Sequence, residues 1–83
     1  MIVKLYALST CPYCMKTKQL LNQQNIAYDL IDVDLAEKEI YARAMEEVQK
    51  LTGQRSFPVI LINDKVILGF KPEEILEALR NEN

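Results

Sequence analysis

The sequence contains no histidine, and only two of its 83 residues are cysteines, Cys11 and Cys14. A closed zinc site needs four thiolate, imidazole or carboxylate ligands. One cysteine pair without histidine does not supply that set, so zinc would require a dimer that shares the site. A disulfide between residues 11 and 14 would close a loop too short to restrict the unfolded chain much, so a structural disulfide is a weak interpretation. A redox-active dithiol remains.

The chain also lacks a long hydrophobic segment. Its longest strongly apolar run, FPVILI at residues 57–62, is too short to cross a bilayer. The start of the sequence, MIVKLYAL, lacks the basic region and the cleavage site of a signal peptide. We therefore expect no membrane association and, by default, a cytoplasmic location.

Neither sign of charge dominates, because ten basic and twelve acidic residues give a net charge of −2 and lie along the whole chain. No basic stripe is available for a phosphate backbone, so nucleic acid is not an expected partner. The length fits one small domain with a modest core. We predict a single domain over residues 1–83, without repeats or linkers, and a monomer.

Hydrophobic periodicity predicts the order β-α-β-α-β-β-α. Residues 2–8 place apolar side chains on both faces of a strand, as in a covered sheet. A helix follows from Pro12 to about Gln24, and a second strand is centred on residues 28–33. Asp34 and Glu37 form a D-x-x-E capping signature that opens a second helix. That helix runs to about Leu51 and stops at Gly53, and its predicted buried stripe comprises Ile40, Ala44, Val48 and Leu51, with Tyr41 and Met45 beside it.

The last third of the chain predicts a hairpin and a short helix. VILI and KVILG flank Asn63-Asp64, a pattern typical of two antiparallel strands around a tight turn. Pro72 then opens a third helix with an apolar face, and the terminal RNEN, residues 80–83, is expected to fray.

The chemistry follows from the position of Cys11. Proline is favoured at the first position of a helix, so Pro12 makes Cys11 the N-cap. An N-cap side chain accepts hydrogen bonds from the first turn, here from the N–H groups of Tyr13 and Cys14, and it lies at the positive end of the helix dipole. A thiolate is stabilised there, which makes Cys11 the expected nucleophile. Cys14, one turn further in and more buried, is the expected resolving thiol.

Two segments together resemble the glutaredoxins of the thioredoxin fold: CPYC at a helix start and TGQRSFP at residues 52–58. The resemblance covers essentially the whole chain. It implies an α/β fold with a four-stranded mixed sheet flanked by three helices. It also implies that Pro58 is a cis-proline facing the dithiol, where the backbone of Phe57 holds a peptide or glutathione as an extra strand. The alternative for Pro58 is a plain trans residue that starts a strand.

By the same resemblance, the active-site helix is supported by Pro12, Tyr13 and Pro58, and substrate or glutathione is bound by Thr10, Gln54, Arg55, Ser56, Phe57, Gly69, Phe70 and Lys71. No metal and no resident cofactor is expected, and glutathione is a candidate co-substrate. A guanidinium such as that of Arg55 suits a carboxylate bidentately. The alternative is that Arg55 and Lys71 are solvated loop charges and that Phe70 caps the core.

The chain departs from the glutathione-binding pattern at two points. Leu8 stands where glutaredoxins usually carry a basic residue, and Phe70, Lys71 and Pro72 replace the segment that holds the γ-glutamyl end. GFKP instead resembles NrdH-redoxins, which take electrons from thioredoxin reductase for ribonucleotide reductase. The resemblance therefore leaves either thioredoxin reductase or glutathione as the electron donor.

Three functions stay open. The favoured one is a thiol–disulfide oxidoreductase that reduces protein or small disulfides, with ribonucleotide reductase as one candidate partner. Its alternative is a glutathione-dependent glutaredoxin that acts on mixed disulfides. The second is an iron–sulfur carrier, against which Pro12 and the second cysteine argue. The third is a non-catalytic interaction domain, for which an intact CxxC at a helix start is a poor argument.

Overall fold

A computed structural model describes residues 1–81 of the protein. Its elements are β1 (Val3–Ala7), α1 (Pro12–Gln23), β2 (Asp29–Asp32), a 3₁₀ turn (Val33–Leu35), α2 (Lys38–Thr52), β3 (Val59–Ile62), β4 (Lys65–Leu68) and α3 (Pro72–Asn81). Apart from the short 3₁₀ turn, this is the predicted order. No helix within residues 1–81 combines the length and the apolar composition needed to span a membrane.

The four strands form one mixed sheet in the order β2-β1-β3-β4. β1 pairs in parallel with β2 and antiparallel with β3, so that Leu5 lies opposite Leu30 on one side and Ile60 on the other. β3 and β4 form the predicted antiparallel hairpin around Asn63, whose φ of 52° is the left-handed conformation that such tight turns use. The predicted mixed four-stranded sheet with three helices is confirmed.

The sheet carries a hydrophobic cluster on each face because side chains alternate along a strand. Cluster 1 packs α1 and α3 against one face of β1, β3 and β4, and it comprises Val3, Leu5, Ala7, Cys14, Leu21, Ile60, Ile62, Ile67, Ile75, Ala78 and Leu79. Cluster 2 packs α2 and the 3₁₀ turn against the other face, and it comprises Tyr6, Val33, Ala44, Met45, Val48 and Val59. The prediction that β1 is covered on both faces is confirmed, and the sheet is the middle of three layers.

The predicted start of α2 is wrong. The helix begins at Lys38 with Glu37 as its N-cap, and no side chain caps it. The Asp34 carboxylate instead accepts two hydrogen bonds from Ser9 and does not cap the helix. That interaction holds residue 34 in the 3₁₀ turn, so the helix starts after it.

The buried stripe predicted for α2 is correct at its centre and wrong at its ends. Ala44, Met45 and Val48 are buried, whereas Ile40, Tyr41 and Leu51 are exposed. A helix of 15 residues is about 22 Å long, whereas strands of 4 or 5 residues span only about 13–17 Å. Both ends of the helix therefore extend beyond the sheet.

The predicted helix ends agree with the structure elsewhere. Gly53 caps α2 in the left-handed conformation, with a φ of 72°, and its N–H donates to the carbonyl oxygen of Gln49. α3 begins at Pro72. Of the RNEN segment predicted to fray, residues 80 and 81 belong to α3, and residues 82 and 83 lie outside the described part of the chain.

Candidate active site

Cys11 caps the first turn of α1 through its sulfur. The backbone of Cys11 is extended, with a φ of −81° and a ψ of 120°, and Pro12 occupies the first helical position. The N–H of Cys14 donates to the Sγ of Cys11 at 3.3 Å, and the carbonyl oxygen of Cys11 accepts the first helical hydrogen bond, from Met15. Both thiols are unbonded, and Cys11 is partly exposed. The predicted N-cap is confirmed.

Cys14 lies inside the protein. Its side chain is fully buried within cluster 1, and the N–H of Leu8 donates to its sulfur at 3.5 Å. Burial raises the pKa of Cys14 to about 12, and the hydrogen bond to Cys11 and the charge of that sulfur act in the same direction. The N–H of Leu8 and the positive charge of Lys18 lower this pKa, but by less. Cys14 is therefore a protonated thiol at neutral pH.

The pKa of Cys11 lies below its usual value. Burial is the largest single influence and raises the pKa, but the thiol and N–H of Cys14, the N–H of Tyr13 and the charge of Lys18 together lower it by more. The environment thus favours the thiolate form of the partly exposed Cys11 and the neutral thiol of the buried Cys14. Two adjacent thiols with opposed pKa shifts are suited to attack and resolution respectively.

An ion pair that the sequence did not reveal joins α1 to the end of β2. The Nζ of Lys18 is 2.9 Å from the Oδ1 of Asp32, and each side chain is about four-fifths buried, with 22% and 20% exposed. The sequence did place Lys18 four residues after Cys14, a spacing that puts the two side chains on the same face of the helix.

Ser9 and Asp34 form a second connection that sequence reasoning missed. Asp34 Oδ1 accepts from the N–H of Ser9 at 2.8 Å, and its Oδ2 accepts from the hydroxyl group of Ser9. The hydrogen bonds from Ser9 lower the pKa of Asp34. Ser9 precedes Cys11 by two residues, so the loop before the nucleophile is held by the 3₁₀ turn that follows β2.

The predicted site residues around Pro58 lie next to cluster 1, the hydrophobic cluster that contains Cys14. The Phe57–Pro58 peptide bond is cis, as the resemblance implies, and Pro58 is fully buried. Its carbonyl oxygen accepts from the N–H of Gly69 at 2.8 Å. Phe57, Phe70 and Cys11 each pack against cluster 1 as partly buried side chains. The structure therefore brings three of the predicted site residues to the cluster that contains Cys14.

The remaining predicted binding residues are spread over the surface. Gln54 is exposed, and its backbone exchanges hydrogen bonds with the Thr52 hydroxyl group at 3.0 Å. Arg55 lines an open groove of about 560 Å³ whose other walls come from α2, including Tyr41 and Met45. Lys71 lines a separate groove with the start of α3 and lies 3.8 Å from Glu74. Ser56 and Thr10 are exposed.

The two residues between the cysteines are both exposed. Pro12 begins α1, and Tyr13 is 59% exposed. The Nζ of Lys16 lies over that ring, 5.4 Å from its centroid. Tyr13 thus presents an aromatic surface next to the partly exposed sulfur of Cys11.

The comparisons with known proteins agree with this geometry. The sequence model of the family described as Glutaredoxin matches residues 3–67. The chain belongs to the glutaredoxin family. Proteins of this family are generally thiol–disulfide oxidoreductases. It is 39% identical over 74 residues to an uncharacterized glutaredoxin-like 8.6 kDa protein in the rubredoxin operon of Clostridium pasteurianum, and that match covers 89% of this chain and 92% of the relative.

Solved structures show that the glutaredoxin fold is shared. The methanoredoxin of Methanosarcina acetivorans matches with a TM-score of 0.89 and 40% identity, over 93% of this chain and 82% of that one. The glutaredoxin-like NrdH-redoxin of Escherichia coli matches with a TM-score of 0.74 and 26% identity, over 93% of each chain. Other curated relatives are longer, and the chain spans 60% of glutaredoxin 1 from Rickettsia conorii.

Proposed function

We propose that the protein is a dithiol oxidoreductase in which Cys11 attacks a disulfide and Cys14 resolves the mixed disulfide. The observation that carries this proposal is the opposed state of the two thiols. Cys11 is partly exposed and has a lowered pKa, whereas the fully buried Cys14, which donates its N–H to the Cys11 sulfur at 3.3 Å, has a pKa raised to about 12. Cys11 is thus the thiol that is both accessible to a partner and shifted toward its thiolate form.

The proposed reaction transfers two electrons from the dithiol to the substrate. The Cys11 thiolate attacks one sulfur of the disulfide, forms a mixed disulfide with it and releases the other sulfur as a thiolate. The Cys14 sulfur then attacks the Cys11 sulfur, and its proton passes to the second substrate sulfur, which leaves as a thiolate and becomes a thiol. This step forms the Cys11–Cys14 disulfide and releases the second substrate sulfur. The substrate disulfide is reduced to two thiols, and an external reductant must reduce the protein again.

We assign protein disulfides as the favoured substrates and a thioredoxin-reductase-type enzyme as the favoured donor. Glutathione binding needs charged contacts at several points. Three residues before Cys11, however, the chain carries the apolar Leu8, which packs against cluster 2. Arg55 and Lys71 line two different grooves. The likeness to the E. coli NrdH-redoxin, whose structure is described as the basis of a thioredoxin-like activity profile, supports the same assignment. A disulfide of ribonucleotide reductase is one candidate substrate.

A glutathione-dependent activity is the second candidate, and one observation favours it. Arg55 makes no ion pair with another side chain within residues 1–81, so its guanidinium group is available for a carboxylate.

The test is to oxidise the purified protein and follow its reduction by two systems. One contains NADPH and thioredoxin reductase, and the other contains glutathione, glutathione reductase and NADPH. We expect faster reduction in the first system, together with reduction of insulin by the protein and dithiothreitol. Efficient turnover at millimolar glutathione would transfer the protein to the second candidate function. Failure to reduce insulin would contradict the dithiol mechanism.

A further inference from the structure

The ion pair between Lys18 and Asp32 differs in burial from the others within residues 1–81. Its side chains are 22% and 20% exposed, whereas those of Lys71 and Glu74 are 55% and 53% exposed. A surface pair of the second kind is screened by water and contributes little. Charges that are partly removed from water act on their neighbours more strongly.

The two residues of this ion pair lie on two elements that lead to the dithiol, α1 and β2. Lys18 lies on α1, one turn after Cys14 and on the same face of the helix. Asp32 ends β2 and lies opposite Ala7, the residue of β1 that leads into the loop before Cys11. The positive charge of Lys18 lowers the pKa of Cys11 and of Cys14, in addition to the larger effects of burial and hydrogen bonding.

We propose that Lys18 is a positioning residue that holds negative charge on the Cys11 sulfur, and that Asp32 both fixes the ammonium group and offsets part of its charge. The pair then sets the pH range in which the protein attacks disulfides. The inference deepens the proposed dithiol function and rests on it. The ionisation of Cys11 is measured without any substrate, however, so failure of this inference and failure of the proposed function give different results.

The other charged groups around the dithiol are engaged elsewhere or lie on other grooves. Asp34 accepts both hydrogen bonds from Ser9, and Lys16 lies over the Tyr13 ring. On the opposite side, Arg55 lines the groove along α2, and Lys71 lies beside Glu74 at the start of α3, next to Glu73. Lys18 is the ammonium group that combines burial with a position on the helix of both cysteines.

The experiment follows alkylation of Cys11 by iodoacetamide against pH in the reduced full-length protein, with mass spectrometry to confirm the modified residue. The rate reports the thiolate fraction. Lys18→Gln should move the midpoint to higher pH and slow alkylation at about pH 6 by roughly three- to tenfold. Lys18→Arg keeps the charge and should restore the rate to within about twofold.

Asp32→Asn distinguishes an electrostatic role from a structural one. The amide oxygen still accepts a hydrogen bond from Lys18, but the opposing charge is gone, so the midpoint should move to lower pH. A structural disturbance would shift both variants in the same direction. The double variant with Lys18→Gln should return close to the wild-type midpoint. Because Asp32→Asn carries its own sign, it tests the proposal even if Lys18→Gln fails to fold.

The control is Lys65→Gln, which makes the same charge change at the hairpin turn, where Lys65 pairs with Ile62 at the far end of the sheet. It should leave the titration unchanged. Arg55→Gln and Lys71→Gln should also leave the midpoint within experimental error. An unchanged midpoint in Lys18→Gln, shifts of the same sign in Lys18→Gln and Asp32→Asn, or an equal shift in Arg55→Gln or Lys71→Gln overturns the proposal.

Discussion

The carboxylate of Asp34 accepts hydrogen bonds from both the N–H and the hydroxyl group of Ser9, which joins the 3₁₀ turn after β2 to the loop that carries Cys11. This contact crosses 25 positions of the sequence between two short segments outside the sheet. The 3₁₀ turn therefore fixes the loop that leads into α1, although the sequence pattern predicts that Asp34 opens a helix.

Asp34→Asn should destabilise the protein at neutral pH, and the difference from wild type should disappear in acid. The pKa of Asp34 is lowered in the folded protein, so its contribution is present above the unfolded-state value of about 3.9 and is lost as the pH falls through the lower folded-state value. Urea midpoints at neutral pH and below about pH 3 measure this. Ser9→Ala, which keeps the N–H donor, should have a smaller effect. A difference that is constant with pH would show that the hydrogen bonds to the carboxylate are not its cause.

Cys11→Ser should abolish disulfide reduction, whereas Cys14→Ser should accumulate a mixed disulfide. Only Cys11 is exposed to a partner, and only Cys14 is adjacent to it for resolution. Mass spectrometry of the trapped adduct identifies the bonded cysteine. A partner bound to Cys14 in the wild-type protein would reverse the assignment.

Tyr6→Phe should lower the free energy of unfolding by about 1 kcal/mol at neutral pH. The Tyr6 ring is fully buried, and its hydroxyl group donates to Glu47, whose carboxylate also lies 3.5 Å from the Nζ of Lys4. Glu47 is half exposed and can be hydrated without Tyr6, so the loss falls below the range of about 1.5–3 kcal/mol for hydrogen bonds to charged groups.

The hydrogen bond between Tyr6 and Glu47 also makes the stability of the protein depend on pH. The hydrogen bond from Tyr6, followed by the charge of Lys4, lowers the pKa of Glu47 against the effect of burial. The contribution is therefore present above the unfolded-state pKa of about 4.3 and is lost as the pH falls through the folded value. The stability of Tyr6→Phe should converge with that of wild type in acid. The matched control is Tyr41→Phe, because Tyr41 is an exposed tyrosine on α2. This variant should not change the midpoint of unfolding.

Leu8→Lys combined with Pro72→Asp should increase turnover in the glutathione-coupled assay. The first change adds a cation and the second an acidic group at the start of α3, and charge-assisted contacts of this kind contribute about 1.5–3 kcal/mol when well formed. Leu8 packs against cluster 2, so Leu8→Gln is needed to separate the loss of packing from the gain of charge. Equal turnover in the Lys and Gln variants would show that charge at position 8 does not limit glutathione use.

The sequence predicted the elements and the dithiol well because both depend on local patterns. Two-sided hydrophobicity revealed β1, and a proline after Cys11 revealed the N-cap, since each is read within a few residues. The contacts of Asp34 with Ser9 and of Lys18 with Asp32 were missed, because they join residues that are distant in sequence and become neighbours only when β2 pairs with β1. The exposure of Ile40 and Leu51 was missed for a related reason: helical spacing does not reveal how far the sheet extends under a helix.

The raised pKa of Cys14 is a property of the reduced dithiol and changes during a reaction cycle. With its pKa raised to about 12, Cys14 stays protonated at pH 7, so the reduced protein is protected from premature reaction at that sulfur. Once Cys11 is bonded to a partner's sulfur, it no longer carries the negative charge that opposes ionisation of Cys14, and it accepts a hydrogen bond less strongly. Of the causes that raise this pKa, burial then remains. Capture of a partner therefore prepares its own release, and the lifetime of the captured state depends on how quickly a proton leaves a sulfur that water does not reach.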